Sequence, residues 1–172
     1  MTQQPVLYIR QYLLADQVQV QELFASGLIE FSGDVEREVR KYVDNSLKDD
    51  MGDIPAHYLS NPKSNFWVAE FDNQLVGIVG IQPTDEVEEA ELRRMSVSPS
   101  VRRQGIGRRL LETTEEFCRE QGYRRICLST VDMLKPALVM YRGHGYTTVK
   151  EEPYGGLDHR PIIVHYLVKE LY

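Results

Sequence analysis

The sequence predicts an α/β fold: one domain with a mixed sheet of about seven strands and about four helices against it. Three observations carry that reading. Two short apolar runs flank the pair Asp72 and Asn73, which is a hairpin signal. Residues 105–121 repeat apolar side chains at helical spacing. Helical segments stand between the strands at intervals too long for hairpin loops. The length of 172 residues suits one domain, residues 1–172, at roughly 100–200 residues per domain.

The elements follow in order. Residues 7–13 read as a first strand, and Asp16 is placed to cap the helix that follows through Val18, Val20, Leu23 and Phe24. Val35, Val39, Tyr42, Val43 and Leu47 give a second amphipathic helix, and a short helix is expected over 54–59 with Pro55 early in it. Residues 66–70 and 75–81 are the second and third strands. The acidic segment 83–89 reads as a loop. Residues 90–97 form a fourth strand that Ser98 and Pro99 end. In the helix over 105–121, Leu110, Leu111, Thr114, Phe117 and Cys118 share one face, and Gly122 closes it. A fifth strand over 125–130, a helix from Pro136 to about His144, and strands over 147–151 and 162–168 complete the chain.

Composition narrows the function. The chain has 26 acidic residues against 20 Lys plus Arg, a formal net charge of -6, which argues against binding nucleic acid through its phosphates. Two cysteines do not make a disulfide framework, and Cys118 and Cys127 are expected as buried, small apolar residues. No stretch approaches the ~18 consecutive apolar residues of a membrane helix. The N-terminal residues lack the apolar run of a signal peptide. The expected location is the cytoplasm, with no membrane partner. His57, His144, His159 and His165 are not at metal-ligand spacing, so no metal is expected.

The sharpest chemical feature is the segment 97–110, where a strand ends, a glycine-containing turn follows and a long helix begins. The first-turn N–H groups of a helix have no intrahelical acceptor, and the helix dipole makes that end positive. Gly105 and Gly107 take side chains out of the way of those N–H groups. Arg102, Arg103, Arg108 and Arg109 add positive charge. A pyrophosphate would fit there, although a tight turn with surface arginines has the same pattern. The dinucleotide fingerprint needs a third glycine where Leu110 stands, and the Gly-Lys-Ser/Thr of a P-loop is missing.

At these residues the chain resembles the GNAT superfamily of N-acetyltransferases. Arg102-x-x-Gly105-x-Gly107 is similar to their acetyl-CoA pyrophosphate loop. Ala90, Glu91, Leu92, Arg93, Arg94, Met95, Ser96 and Val97 resemble their fourth strand, and the run from Ala137 through Tyr141 to Gly145 and Tyr146 resembles their later helix and Gly-aromatic motif. Within the superfamily the chain is most like the camello-like acetyltransferases. That likeness rests on Asp50, Met51, Gly52, Asp53 and Ile54, on 66–70, on 76–80 and on 92–97. Animal camello-like enzymes carry a hydrophobic membrane segment upstream of the Asp50-Met51 region. Here residues 35–49 are charged, so their membrane location is not carried over.

The resemblance implies a bent sheet that splays after the fourth strand and an acetyl-CoA co-substrate held in the split. Its pantetheine would pair with Met95, Ser96 and Val97, and its pyrophosphate would sit on Arg102, Arg103, Gln104, Gly105, Ile106, Gly107 and Arg108. An amine then attacks the thioester directly. Tyr141 stands where the family keeps the tyrosine that protonates the thiolate; as a residue alone it is equally a core tyrosine. Glu91 stands where several members keep a general base; it is equally a carboxylate paired with Arg93 or Arg125, and Glu89 is a weaker candidate. The acceptor would be a small-molecule amine or a protein lysine, read by residues 24–60 and the loop 153–160. Acidic residues at 34, 36, 49, 50 and 53 would suit a cationic acceptor; a solvated surface helix has the same pattern. Another acyl donor, a homodimer, and an acetyl-CoA sensor without turnover remain open.

Overall fold

Apolar residues on alternate positions of the strands send side chains to both faces of a single sheet, and helices cover each face. The computed structural model describes the backbone of residues 4–157 and 160–172. The strands are β1 (Leu7–Gln11), β2 (Asn65–Phe71), β3 (Gln74–Pro83), β4 (Glu89–Val97), β5 (Arg125–Val131), β6 (Thr147–Leu157) and β7 (Arg160–Glu170). The helices are α1 (Gln17–Ile29), α2 (Glu36–Lys48), α3 (Ile106–Glu120) and α4 (Lys135–Gly143). Sheet order is β1-β2-β3-β4-β5-β7-β6. Every neighbouring pair is antiparallel except β4 and β5, which run parallel across the crossover through α3.

The β2–β3 turn is the expected one. Asp72 and Asn73 both have positive φ, 53° and 61°, the two-residue turn whose twist matches the flanking strands. Phe66, Val68 and Ile78 pack against α1 and α2 with Val20, Phe24, Val39 and Val43. Trp67, Ala69, Val79, Ile81, Ala90 and Leu92 pack on the opposite face against α3 and α4 with Leu110, Leu111, Leu138 and Tyr141. The two faces are two separate hydrophobic clusters.

Three local expectations change. Asp16 stands at the N-cap of α1 but makes no cap hydrogen bond there; its carboxylate accepts Leu13 N–H and the Arg10 guanidinium at 2.8–2.9 Å. A charged partner outcompetes the weaker backbone donor. The last two strands are eleven residues each, much longer than their apolar runs, because β6 and β7 pair with each other well beyond the core. The expected 153–160 loop is therefore mostly strand, with residues 158–159 outside those described. Cys118 is fully buried as expected, but Cys127 is only half-buried.

Candidate active site

The site begins with a parting of the sheet. β4 and β5 pair only at Glu89–Arg125, Ala90–Ile126 and Glu91–Cys127. Beyond Glu91, β4 runs on to Val97 with β3 on one side and no β5 partner on the other. Its backbone edge from Leu92 onward is thus free for an extended ligand to pair with. In the same stretch the β3–β4 register shifts between Ile78 and Gly80, and Arg94 has a φ of +58°. This is a bulge, and it reverses the alternation of the strand. Ala90 and Leu92 belong to the α3 and α4 side, and after the bulge so do Met95 and Val97. Arg93, Arg94 and Ser96 point to the α1 and α2 side, where Arg93 nears Asp50, Arg94 bonds Asp50 and the Ser96 hydroxyl reaches Leu23 O.

At the end of β4 the chain turns into α3. Gly105 is the N-cap with φ +77°, and a side chain there would meet nothing within 4 Å, so the residue is fixed by backbone conformation and leaves open space. The first bond across the cap is Arg109 N–H to Gly105 O, which leaves the N–H groups of Ile106, Gly107 and Arg108 without a helical acceptor. Gly107 has a different reason: a Cβ there would lie 2.6 Å from Met140 Sδ, so its smallness seats α3 against α4. Arg103 and Gln104 are exposed. Arg102 pairs with Glu30 at the end of α1 and lies 5.2 Å over the Phe31 ring, while Arg108 bonds Glu112 at 2.9 Å. Three free amides, a positive helix end and four arginines make a seat for an anion.

Tyr141 and Glu91 belong to opposite faces of the sheet. Tyr141 lies on α4 with 5% exposure, its ring edge-on to Tyr146 at 5.8 Å. Its hydroxyl makes no hydrogen bond among the described residues, and burial raises its pKa above the ordinary phenol value, so it keeps its proton at neutral pH. Such a group can give a proton to a departing thiolate but does not take one up. Glu91 is the last paired residue before the strands part. Its carboxylate is 41% exposed and stands 3.4 Å from Arg93 Nε. Arg125 bonds Glu170 and nears Glu89, so of the two partners expected for Glu91 only Arg93 is there. Glu89 is engaged by Thr84, Cys127 and Arg125. The Cys127 thiol donates to Glu89 and is pushed up to about 12, by burial first and then by Glu89 and Glu91. It is not a nucleophile at neutral pH.

Several acidic side chains over residues 34–53 have partners, while Asp49 stays 71% exposed, 3.8 Å from His57. Asp34 pairs with Arg160, Glu36 with Arg40, and Asp53 takes the Ala56 N–H. Asp50 is 1% exposed and accepts two hydrogen bonds from Arg94, 2.9 and 2.7 Å, and one from the Tyr58 hydroxyl, 2.5 Å. Burial alone would raise the Asp50 pKa, but the bonds from Arg94 and Tyr58 outweigh it and hold it below the ordinary carboxylate value. Sequence reasoning named Asp50 and Arg94 only as members of longer runs. Their pairing joins residues 44 positions apart, and no local pattern announces it. A hollow of about 580 Å³ along α2 is lined only by that helix's own polar side chains, away from the parting, and marks a solvated helix face.

With this geometry in place, similarity to known proteins is informative. A model of the Acetyltransferase (GNAT) family matches residues 33–146. The N-acetyltransferase family 8 member 3 of Rattus norvegicus is 38% identical over 115 residues, 64% of this chain and 50% of that protein. The chain thus spans about half the length of the curated relatives it matches. A GNAT-family acetyltransferase from Staphylococcus aureus Mu50 superposes with a TM-score of 0.78 at 25% identity, covering 97% of this chain and 100% of that one. The PaiA N-acetyltransferase of Thermoplasma acidophilum, solved in complex with coenzyme A, superposes at 0.76 with 19% identity, over 96% and 99% of the two chains. Among the described residues no helix is long and apolar enough to cross a membrane.

Proposed function

The chain belongs to the acetyltransferase (GNAT) family, and from that premise we propose that it moves an acetyl group from acetyl-CoA directly onto an amine. One observation carries the proposal: the unpaired edge of β4 leads to the α3 amides that have no helical acceptor, on the sheet face whose core includes Tyr141. That arrangement fits a ligand that is extended and amide-bearing in its middle, anionic at one end and a thioester at the other. Met95, Ser96 and Val97 would pair with the pantetheine, and residues Arg102 to Arg108 would hold the pyrophosphate. Arg103 is free to do so at once, whereas Arg102 must exchange Glu30 for phosphate.

Acetyl-CoA supplies a thioester, whose acyl carbon is attacked by the amine as the carbon–sulfur bond breaks. Glu91, at the fork and open to solvent on one side, accepts the proton of the incoming ammonium, directly or through water. Arg93 stands beside it, 3.4 Å from the carboxylate. Tyr141, on the other face, gives its hydroxyl proton to the sulfur as coenzyme A leaves. Separate faces for acceptor and donor keep the two protons apart. The acceptor is a primary amine of a small molecule or of a lysine side chain.

The test is thiol release from acetyl-CoA with three acceptor pools: S-substituted cysteines with amino acids, lysine peptides, and polyamines with other small amines. Stimulation by one pool is expected. Tight acetyl-CoA binding without stimulation by any pool would contradict transfer and favour a sensor.

A further inference from the structure

We infer that Asp50 and Arg94 are positioning residues for acyl transfer: their buried ion pair fixes the β4 bulge and with it the direction of the backbone groups from Met95 to Val97. The inference rests on the acetyl-CoA reading above. Arg94 sits at φ +58°, a conformation that glycine or asparagine adopts readily and arginine rarely does. Its side chain shows what holds it there. Nε and one terminal nitrogen grip both oxygens of Asp50, and the other terminal nitrogen donates to the Tyr42 hydroxyl at 2.8 Å. The guanidinium lies 5.1 Å from the Phe24 ring and 5.7 Å from the Tyr42 ring, and its side chain is 8% exposed. Two parallel bonds to one carboxylate set an orientation that a single point contact does not.

The location gives the pair its consequence. Phe24 lies on α1, Tyr42 on α2, Asp50 on the turn after α2, and Tyr58 on the short helical turn Pro55–Leu59. Phe24, Tyr42 and Asp50 meet at Arg94, and Tyr58 joins through its bond to Asp50, so the helical layer on the acceptor side is tied to the strand at the bulge. Arg94 is also the residue at which the alternation of β4 reverses. Were Arg94 drawn back into regular extended conformation, Met95 and Val97 would turn toward the α1 and α2 side, and the free backbone groups along the parting would reverse with them. A misplacement of that kind, away from the reacting atoms, reduces turnover by as much as about 100-fold.

Arg94→Lys, Asp50→Asn and the double variant test this with three readouts: amide hydrogen exchange at residues 94–97, acetyl-CoA affinity by calorimetry, and kcat with KM per folded molecule. In Arg94→Lys the exchange at 94–97 should rise at least about tenfold with β2 unchanged. Acetyl-CoA binding should weaken and kcat should fall about 10- to 100-fold. The double variant should be no worse than the worse single, because the two act as one unit. Unchanged exchange, affinity and kcat in folded molecules that merely melt earlier would overturn the inference. If Arg94→Lys does not fold, Tyr42→Phe removes a single acceptor; a drop of a few fold in affinity is expected, and none would overturn it. A wild-type chain that does not bind acetyl-CoA would sink the functional reading instead, and the exchange arm would still decide whether the pair holds the bulge.

Discussion

Each face of the sheet is tied by a buried ion pair, Lys169 to Glu115 on the α3 and α4 side and Arg94 to Asp50 on the α1 and α2 side, but only the second sits where β4 has left β5. On the α3 and α4 side the chain offers amides without a helical acceptor at the helix start and the unpaired β4 edge, over a core that includes Met95, Met140, Leu138 and Tyr141. On the α1 and α2 side a comparable apolar core is tied to the sheet by charge. Arg94 meets Asp50 at β4, Arg160 meets Asp34 at β7, and Arg102 meets Glu30 behind the glycine turn. The first side presents backbone groups whose chemistry does not depend on side chains. The second is assembled from side chains far apart in the chain, and in the proposed reaction it is the side that would face the acceptor.

The comparison breaks first at Arg94. Arg94→Met leaves a buried carboxylate without its partner and should destabilise the fold by about 3–5 kcal/mol. On the other face the comparable charge is Glu115, 6% exposed and bonded to Lys169 at 2.8 Å. Thermal unfolding monitored by circular dichroism reads the Arg94→Met cost, and a loss below about 1 kcal/mol would mean Asp50 finds another partner.

At Gly105 a side chain has room, so Gly105→Ala should cost only the left-handed backbone conformation, about 1–2 kcal/mol. Its larger effect should be on acetyl-CoA affinity, with acceptor KM unaffected. Calorimetric titration that finds the affinity unaltered would remove the glycine turn from the site.

Acid sharpens the contrast through its sign. Asp16, held by Arg10, and Asp50, held by Arg94 and Tyr58 against burial, have pKa values below the ordinary carboxylate range. A folded pKa below the unfolded one, about 4, gives stability that is present above pH ~4 and is lost as pH falls through the folded value. Wild type should therefore melt earlier in that acid window. In Arg94→Met the same carboxylate keeps its burial without its main counter-charge, its pKa rises, and the Asp50 contribution should reverse, with stability gained on acidification. Melting curves from about pH 3 to 7 that fall in parallel for the two proteins would refute this.

The smallest effect belongs to the surface. Arg160→Ala removes an ion pair whose side chains are 42% and 49% exposed, and its cost should stay below about 1 kcal/mol. Any change should appear in acceptor KM and not in melting temperature, and steady-state kinetics over the acceptor concentration will show it.

Legibility in the sequence followed the same division. The hairpin at Asp72 and Asn73, the helix at 106–120 and the glycine turn before it are local patterns whose determinants lie within a few residues, and each is readable, whereas the role of Tyr141 enters through resemblance. The parting of β4 and β5 entered only through resemblance, since no residue type marks where two strands stop pairing. The Arg94–Asp50 pair was not readable because an ion pair across 44 positions leaves no periodicity. For the acidic stretch at 34–53, composition counts charges but does not show which have partners. At Gly107 the sequence suggests room for an anion, and the structure adds a close approach to Met140 that only tertiary packing reveals.

Two parallel measurements decide the account: thiol release by wild type and by Tyr141→Phe, alongside calorimetric titration of each with acetyl-CoA. The Tyr141 hydroxyl makes no hydrogen bond among the described residues, so its loss should leave the fold and the affinity unchanged. Turnover should fall by about 100-fold or more, the scale of a lost general acid. Equal turnover by the two proteins would contradict the assignment of Tyr141 and, with it, the division of labour across the parting.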